Sequence, residues 1–374
     1  MELDLIGDQE LLRDTATRFM DASCPLDVVR QLNTTDTGLP ANYMQDAAEL
    51  GWFSLLVPAE DGGGSVSGDG LRDAAILAEE RGRRLQPGPF VPMNVVASAL
   101  ATRGSADQKA KVLPAIMNGE ALATVAAADG AGAWPPGAGL SASSAGDRFI
   151  LSGCAGLAQD AALADWFLVA ARSPAGQRQF LVPSSTPGVS LARRGAHDIT
   201  QRFASVDFEG VELDADAVVG HPGGTADDLE RQLQLALVLS VAETVGAIEA
   251  LFDMTRRYAI DRIAFGRPIG SFQAVKHQLA DMSLSVEAGI SISAAATRAV
   301  QAGQDDAGEI ASMAKAWVGD TGIDIAQGCF QVFGGIGYTW EHDLHLFLRR
   351  ITMNSLLYGQ PDWHRERICE LHGL

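Results

Sequence analysis

Residues 225–260 contain no proline and a single glycine, Gly246. A helix of that length is several times the average for a globular protein, and its stability must come from packing rather than propensity. Residues from Phe272 to Ala302 form a comparable stretch ending at Gly303, and Asp306–Phe333 and Glu341–Leu357 continue the pattern. The apolar residues keep no strict heptad, so the four stretches predict a helical bundle rather than a coiled coil.

Upstream, the texture differs. Gln9–Ala22, Tyr43–Leu50, Leu71–Leu85, Val95–Arg103 and Gln108–Met117 carry apolar residues at helical spacing. Near Ala123 the pattern changes to short apolar runs separated by turns: Phe149–Leu151, Trp166–Ala171, Phe180–Val182, Val189–Leu191 and Phe203–Phe208. Such runs read as strands. The expected class is α+β, mainly α, in three regions: a helical N-terminal domain over 1–122, a β domain over 123–218 and a four-helix bundle over 219–374.

Hydrophobic residues make up 47% of the chain and charged residues 20%, which excludes a disordered protein. The net charge of −19 opposes nonspecific binding to nucleic acid and to an acidic membrane surface, while leaving room for a local anion site. The apolar runs look too short and interrupted for a membrane span, and Met1-Glu2-Leu3-Asp4 lacks a signal peptide's basic and apolar regions. Cys24, Cys154, Cys329 and Cys369 form no CxxC. The expectation is a cytoplasmic protein with free thiols.

Two stretches of the bundle region are distinctive: Arg257-Tyr258-Ala259-Ile260-Asp261-Arg262-Ile263-Ala264-Phe265-Gly266-Arg267-Pro268 through Gln273, and Gln331-Val332-Phe333-Gly334-Gly335-Ile336-Gly337-Tyr338. With Glu49-Leu50-Gly51-Trp52, Val57-Pro58 and the glycines 62–64, they resemble the acyl-CoA dehydrogenase family of flavoproteins over nearly the whole chain, in the same order. The resemblance implies the same three-region fold, usually as a tetramer, with FAD lying between the β domain and the bundle and reaching a neighbouring subunit. It implies α,β-desaturation of an acyl-CoA thioester, with electrons passing to an electron-transfer flavoprotein or similar acceptor. Arg262 would then bind the FAD pyrophosphate, where its planar fork suits phosphate. Phe265 and Gln273 would hold the adenosine end, and Gln331, Gly334 and Gly335 would approach from the other subunit. The alternative for Arg262 is a solvated helix-end residue, and for the glycines a helix cap and turn.

The chain departs from the family at its base. The usual glutamate before a glycine near the C-terminus corresponds to Tyr358, in Leu357-Tyr358-Gly359-Gln360. A second family position on the first bundle helix corresponds to Ala236, and the arginine that often follows it to Leu237. A tyrosine, with an ordinary pKa of ~10, is a poor base. Glu243 lies seven residues after Ala236, about two helical turns and roughly 10 Å along the same face. Its neighbours, Leu239 to Gly246, are mostly apolar, a setting that would raise a carboxyl pKa and suit a general base. The Ala242-Glu243-Thr244-Val245-Gly246 context also resembles subunits that desaturate steroid side chains. Glu243 is therefore the candidate catalytic residue, the alternative being a paired structural glutamate. Glu249 and Asp362 are weaker candidates.

The flavin-ring half of the family site is also altered, with Ala128 in place of a threonine and Gly156-Leu157-Ala158 where a Trp/Tyr-Ile-Ser/Thr element belongs. Half a flavin site without the standard base fits one subunit of an α₂β₂ heterotetramer with a paralogue, as in bacterial dehydrogenases of sterol side chains. The alternatives are a non-catalytic partner that completes an active paralogue, and a flavin oxidase on a non-thioester substrate. His342 and His345, three apart beside Glu341, have metal-ligand spacing, but the resemblance places a flavin edge there and no metal is assigned. His364-Arg365-Glu366-Arg367 reads as a solvated helix face, with a grip on CoA phosphates as the alternative.

Overall fold

The computed structural model describes residues 5–126, 139–174, 176–221 and 225–374. Seven helices open the chain: α1 (Gly7–Ser23), α2 (Leu26–Leu32), α3 (Tyr43–Glu49), α4 (Gly70–Arg83), α5 (Phe90–Arg103), α6 (Ala106–Lys111) and α7 (Leu113–Met117). In α1, Gln9, Leu12, Ala16 and Met20 form the buried stripe that its periodicity predicts. The Asp69 carboxylate caps α4 by accepting from the Arg72 N–H at 3.1 Å. Ser105 and Gln108 form a reciprocal capping box on α6. Helix α2 escapes the sequence reading because about two helical turns carry little signal. The start of α5 was expected at Val95 but lies at Phe90, since Pro92 falls in the first turn, where no N–H is required.

A sheet follows: β1 (Ala123–Ala126), β2 (Leu140–Ala145), β3 (Arg148–Gln159), β4 (Trp166–Ser173), β5 (Gly176–Pro183), β6 (Val189–Arg194), β7 (Phe203–Asp214) and β8 (Val218–Val219). Its order is β6-β7-β3-β2-β4-β5-β8, with β1 parallel to β4. Strands β3 and β7 extend well beyond their apolar runs and pair antiparallel, with register shifts at Leu151/Gly153 and Ala155/Ala158. The sheet has its own core, built around Leu151, Phe167, Phe180, Val206 and Phe208.

The bundle consists of α8 (Thr225–Asp261), the two-residue strands β9 (Ile263–Ala264) and β10 (Arg267–Pro268), then α9 (Gln273–Gln301), α10 (Ala307–Phe333), α11 (Leu344–Leu356) and α12 (Pro361–Leu371). The α+β, mainly α class is as expected, with α12 added to the expected four helices. One expectation is corrected: α8 contains an 18-residue stretch long and apolar enough to cross a bilayer. That stretch is 89% buried inside the protein, as in a core helix.

The N-terminal helices and the bundle share one hydrophobic core, in which Trp52, Phe53 and Leu77 join Leu237, Val241 and Ile248. Helices α4 and α8 cross at two glycines. A Cβ on Gly82 would lie 1.8 Å from the Glu243 carbonyl oxygen, and one on Gly246 would lie 1.9 Å from that of Glu79. This contact fixes the backbone of Glu243 against α4.

Candidate functional site

The N-terminal helices, the sheet region and the bundle meet at a buried arginine. Arg350 lies in the middle of α11, and its side chain is fully buried. Its Nε donates to Asp198 Oδ2 at 2.6 Å, Nη1 to Glu243 Oε1 at 2.5 Å and Nη2 to Thr200 Oγ1 at 2.7 Å. The Gln86 carbonyl accepts from Nη1 at 3.2 Å, and the Leu85 carbonyl from Nη2 at 3.3 Å. Leu85 has φ 51°, a left-handed turn at the start of this segment. Asp198 Oδ1 in turn accepts from the N–H and hydroxyl of Thr200 at 2.8 and 2.7 Å. Burial opposes the charge of Arg350, but Asp198 and then Glu243 outweigh it and hold the guanidinium above its ordinary range.

Glu243 is buried on α8, as its apolar neighbours suggest. Its carboxylate, however, meets Arg350 rather than an apolar wall. Periodicity alone could have flagged the arginine: Leu346, Phe347, Arg350, Ile351 and Asn354 lie at helical spacing on the buried face of α11. Oε1 of Glu243 is held by Arg350.

Tyr358 follows α11 in a left-handed turn, with φ 59°, and Gly359 continues it at φ 102°. Burial first, and then the charge of Glu243, push the Tyr358 hydroxyl well above its ordinary value, so it stays protonated at neutral pH. Glu243 and Tyr358, far apart in sequence, thus lie within electrostatic reach of one another. The Tyr358 carbonyl accepts from His364 Nε2 at 3.0 Å, which anchors the turn. Ala236 and Leu237 are buried two turns before Glu243.

The weaker carboxylate candidates lie elsewhere. Asp362 is almost fully exposed and pairs with Arg365. Glu249 is six residues beyond Glu243, about 120° around α8, and meets Arg83 at 2.6 Å. Burial first, and then the neighbouring Glu79, push the Glu249 carboxyl up to about 8.

The expected cofactor residues gather at one end of the bundle. Arg262 follows α8, is exposed and forms no ion pair among the described residues. The Ile269 N–H donates to the Arg262 carbonyl at 2.8 Å, closing the β9–β10 hairpin. Phe265, at φ 53°, stands at the hairpin tip and is 96% exposed. Gln273 opens α9 and Gln331 lies near the end of α10, both exposed. Tyr258 stacks on Phe333 with ring centroids 4.2 Å apart, tying the end of α8 to the end of α10. Gly334 has φ 64°, and a Cβ on Gly334 or Gly335 would meet nothing within 4 Å. Ile263, Tyr338 and Trp340 are also exposed at this end, an apolar surface that soluble proteins usually cover with a ligand or another chain.

Ala128 lies outside the described residues. Gly156-Leu157-Ala158 falls within the β3–β7 register shift. His342 Nδ1 accepts from the Leu344 N–H at 3.1 Å, and His345 stacks on Trp340. The expected solvated face on α12 holds for Arg365 and Glu366, which are exposed, and is corrected for His364, which is fully buried, and for Arg367, which pairs with Glu230 at 2.5 Å.

Residues 7–120 match the model of the acyl-CoA dehydrogenase N-terminal domain, and residues 227–371 that of the acyl-CoA dehydrogenase C-terminal domain. Acyl-CoA dehydrogenase IpdE2 of Mycobacterium tuberculosis is 30% identical over 356 residues, covering 95% of this chain and 94% of that protein. The Tcur3481–Tcur3483 steroid ACAD superposes with a TM-score of 0.88 at 26% identity, covering 98% of both chains. A chain of the ChsE4-ChsE5 complex from Mycobacterium tuberculosis superposes with a TM-score of 0.90 at 24% identity, a likeness of fold, covering 100% of this chain and 99% of that one.

Proposed function

The chain belongs to the acyl-CoA dehydrogenase family, and from that premise we propose that it carries out FAD-dependent α,β-desaturation of an acyl-CoA thioester, with Glu243 as the base, as one subunit of an assembly with a paralogous chain. One observation carries this reading: Glu243 is a buried carboxylate on α8 whose Oε1 is anchored on a buried arginine, within electrostatic reach of the residue aligned with the family's usual glutamate.

The chain's residues fit FAD at its adenosine and pyrophosphate end. Arg262 offers an uncommitted guanidinium, Phe265 an exposed ring face, Gln273 and Gln331 exposed amides, and Gly334-Gly335 an open backbone. A bound FAD would supply the acceptor for the hydride that leaves the substrate's β-carbon. Glu243 Oε2 takes the proton from the α-carbon while Oε1 stays on Arg350. The Tyr358 hydroxyl, kept protonated, is a hydrogen-bond donor in this site and not the base.

The likeness to the Tcur3481–Tcur3483 steroid ACAD supports a steroid-bearing thioester as substrate. Small Ala236 and uncharged Leu237, in place of a glutamate and an arginine, leave room for a bulky acyl group. The paired names of the two structural relatives support a hetero-assembly, and an electron-transfer flavoprotein or similar protein is the proposed acceptor.

The test is to purify the chain alone and co-expressed with paralogous neighbours, recording FAD per chain and enoyl-CoA formation by mass. Flavin and turnover with a Glu243-dependent rate are expected. Absence of flavin in every preparation overturns the enzyme reading, and full activity of Glu243→Gln removes Glu243 as the base.

A further inference from the structure

We propose that Arg350 is a positioning residue of this site: it clamps the Glu243 carboxylate to Asp198 and to the carbonyls of Leu85 and Gln86, so that three separate parts of the chain jointly set the place and charge of the base. The proposal rests on the reading of Glu243 as the base.

Four features of the geometry support it. The guanidinium is fully buried and engages acceptors through all three nitrogens, so its planar fork has a single orientation. Those acceptors come from the turn before α5, from the 198–200 loop and from α8, so shifting any one of them moves Glu243 Oε1. Arg350 also lies eight residues before Tyr358 on the helix that leads into that turn, so the same anchor fixes the approach of the chain to Tyr358.

The fourth feature is electrostatic. One cation is shared by two buried carboxylates. Asp160, near Arg202, Arg81 and Arg350, is the further buried acid of this junction, and the charge of Glu243 also reaches the Tyr358 hydroxyl. Asp198 therefore draws on the cation that Glu243 also uses. Neutralising Asp198 leaves Arg350 to Glu243 alone and favours the Glu243 anion.

The experiment uses the flavin-loaded enzyme as wild type, Arg350→Lys, Asp198→Asn and Glu243→Gln. Two readouts are taken: the pH dependence of kcat and KM, and the ionisation of Glu243 from infrared carboxylate bands in difference against Glu243→Gln, which requires no turnover. Asp198→Asn, which removes the competitor for the guanidinium, is expected to move the acid limb of kcat to lower pH. Arg350→Lys keeps the charge but loses the fork, and is expected to lower kcat by about tenfold or more with KM changed less than about twofold. Folded variants in which the Glu243 band titrates as in wild type and kcat is unchanged overturn the proposal. Should Asp198→Asn fail to fold, Arg350→Lys decides by the same readouts. A fully active Glu243→Gln overturns the base reading separately, because the infrared shift still shows whether Arg350 governs that carboxylate.

Discussion

Arg350 Nη1 donates to Glu243 Oε1 at 2.5 Å across the contact between α11 and α8, and both side chains are buried. The two residues are 107 positions apart in sequence. Because Asp198 shares the same guanidinium, loss of the arginine strands two carboxylates away from water.

Arg350→Met is accordingly expected to destabilise the protein by about 3–5 kcal/mol, the range for breaking a buried pair from one side. Adding Glu243→Gln and Asp198→Asn removes the stranded charges, and most of that loss should return. Urea unfolding of the single and triple variants measures both terms, and simple additivity of the three changes would contradict the shared-cation arrangement.

Gly246→Ala is expected to lower stability by about 1–3 kcal/mol, because its Cβ would lie 1.9 Å from the Glu79 carbonyl and helix backbone cannot yield as a side-chain tip can. Gly335→Ala meets open space and is expected to stay within about 0.5 kcal/mol of wild type. Thermal melts of the two variants compare a glycine required by packing with one that packing does not require.

Arg262→Ala and Phe265→Ala should reduce FAD occupancy while leaving the melting temperature of flavin-free protein unchanged, since both side chains are exposed. Flavin absorbance per chain after gel filtration is the measurement. Full occupancy in both variants would remove these residues from the proposed site.

The Glu249 carboxyl is raised by burial and by Glu79 to about 8, well above the unfolded value of ~4.3. A carboxyl raised on folding contributes stability that is fully present below the unfolded pKa and is lost as pH climbs through the folded one. Wild-type stability should therefore fall between about pH 4.3 and 8 from this group, and Glu249→Gln should flatten that slope. Urea midpoints across this window test the sign.

Much of the fold was legible because it is written locally. The absence of proline from 225–260 leaves α8 unbroken, and the apolar spacing of Leu12, Ala16 and Met20 selects the buried face of α1. Less was legible where the local signal is short or mixed. Helix α2 offers only about two helical turns, and β3 and β7 continue into alternating polar residues that only their mutual pairing holds in strand form. The apolar segment around Glu243 revealed burial, since burial follows the residue's own neighbours. It did not reveal what the carboxylate meets.

The sequence by itself determined the helical bundle, the β region and the motifs at the bundle's end, because each depends on residue order over one element. Tertiary structure alone decided that Glu243, Tyr358, Asp198 and Arg350 share one buried junction. That arrangement depends on the α4–α8 crossing at Gly82 and Gly246 and on the docking of α11, which set distances between segments more than a hundred residues apart. Helical periodicity fixes which way a side chain faces, but the partner it meets is fixed by the packing of whole elements.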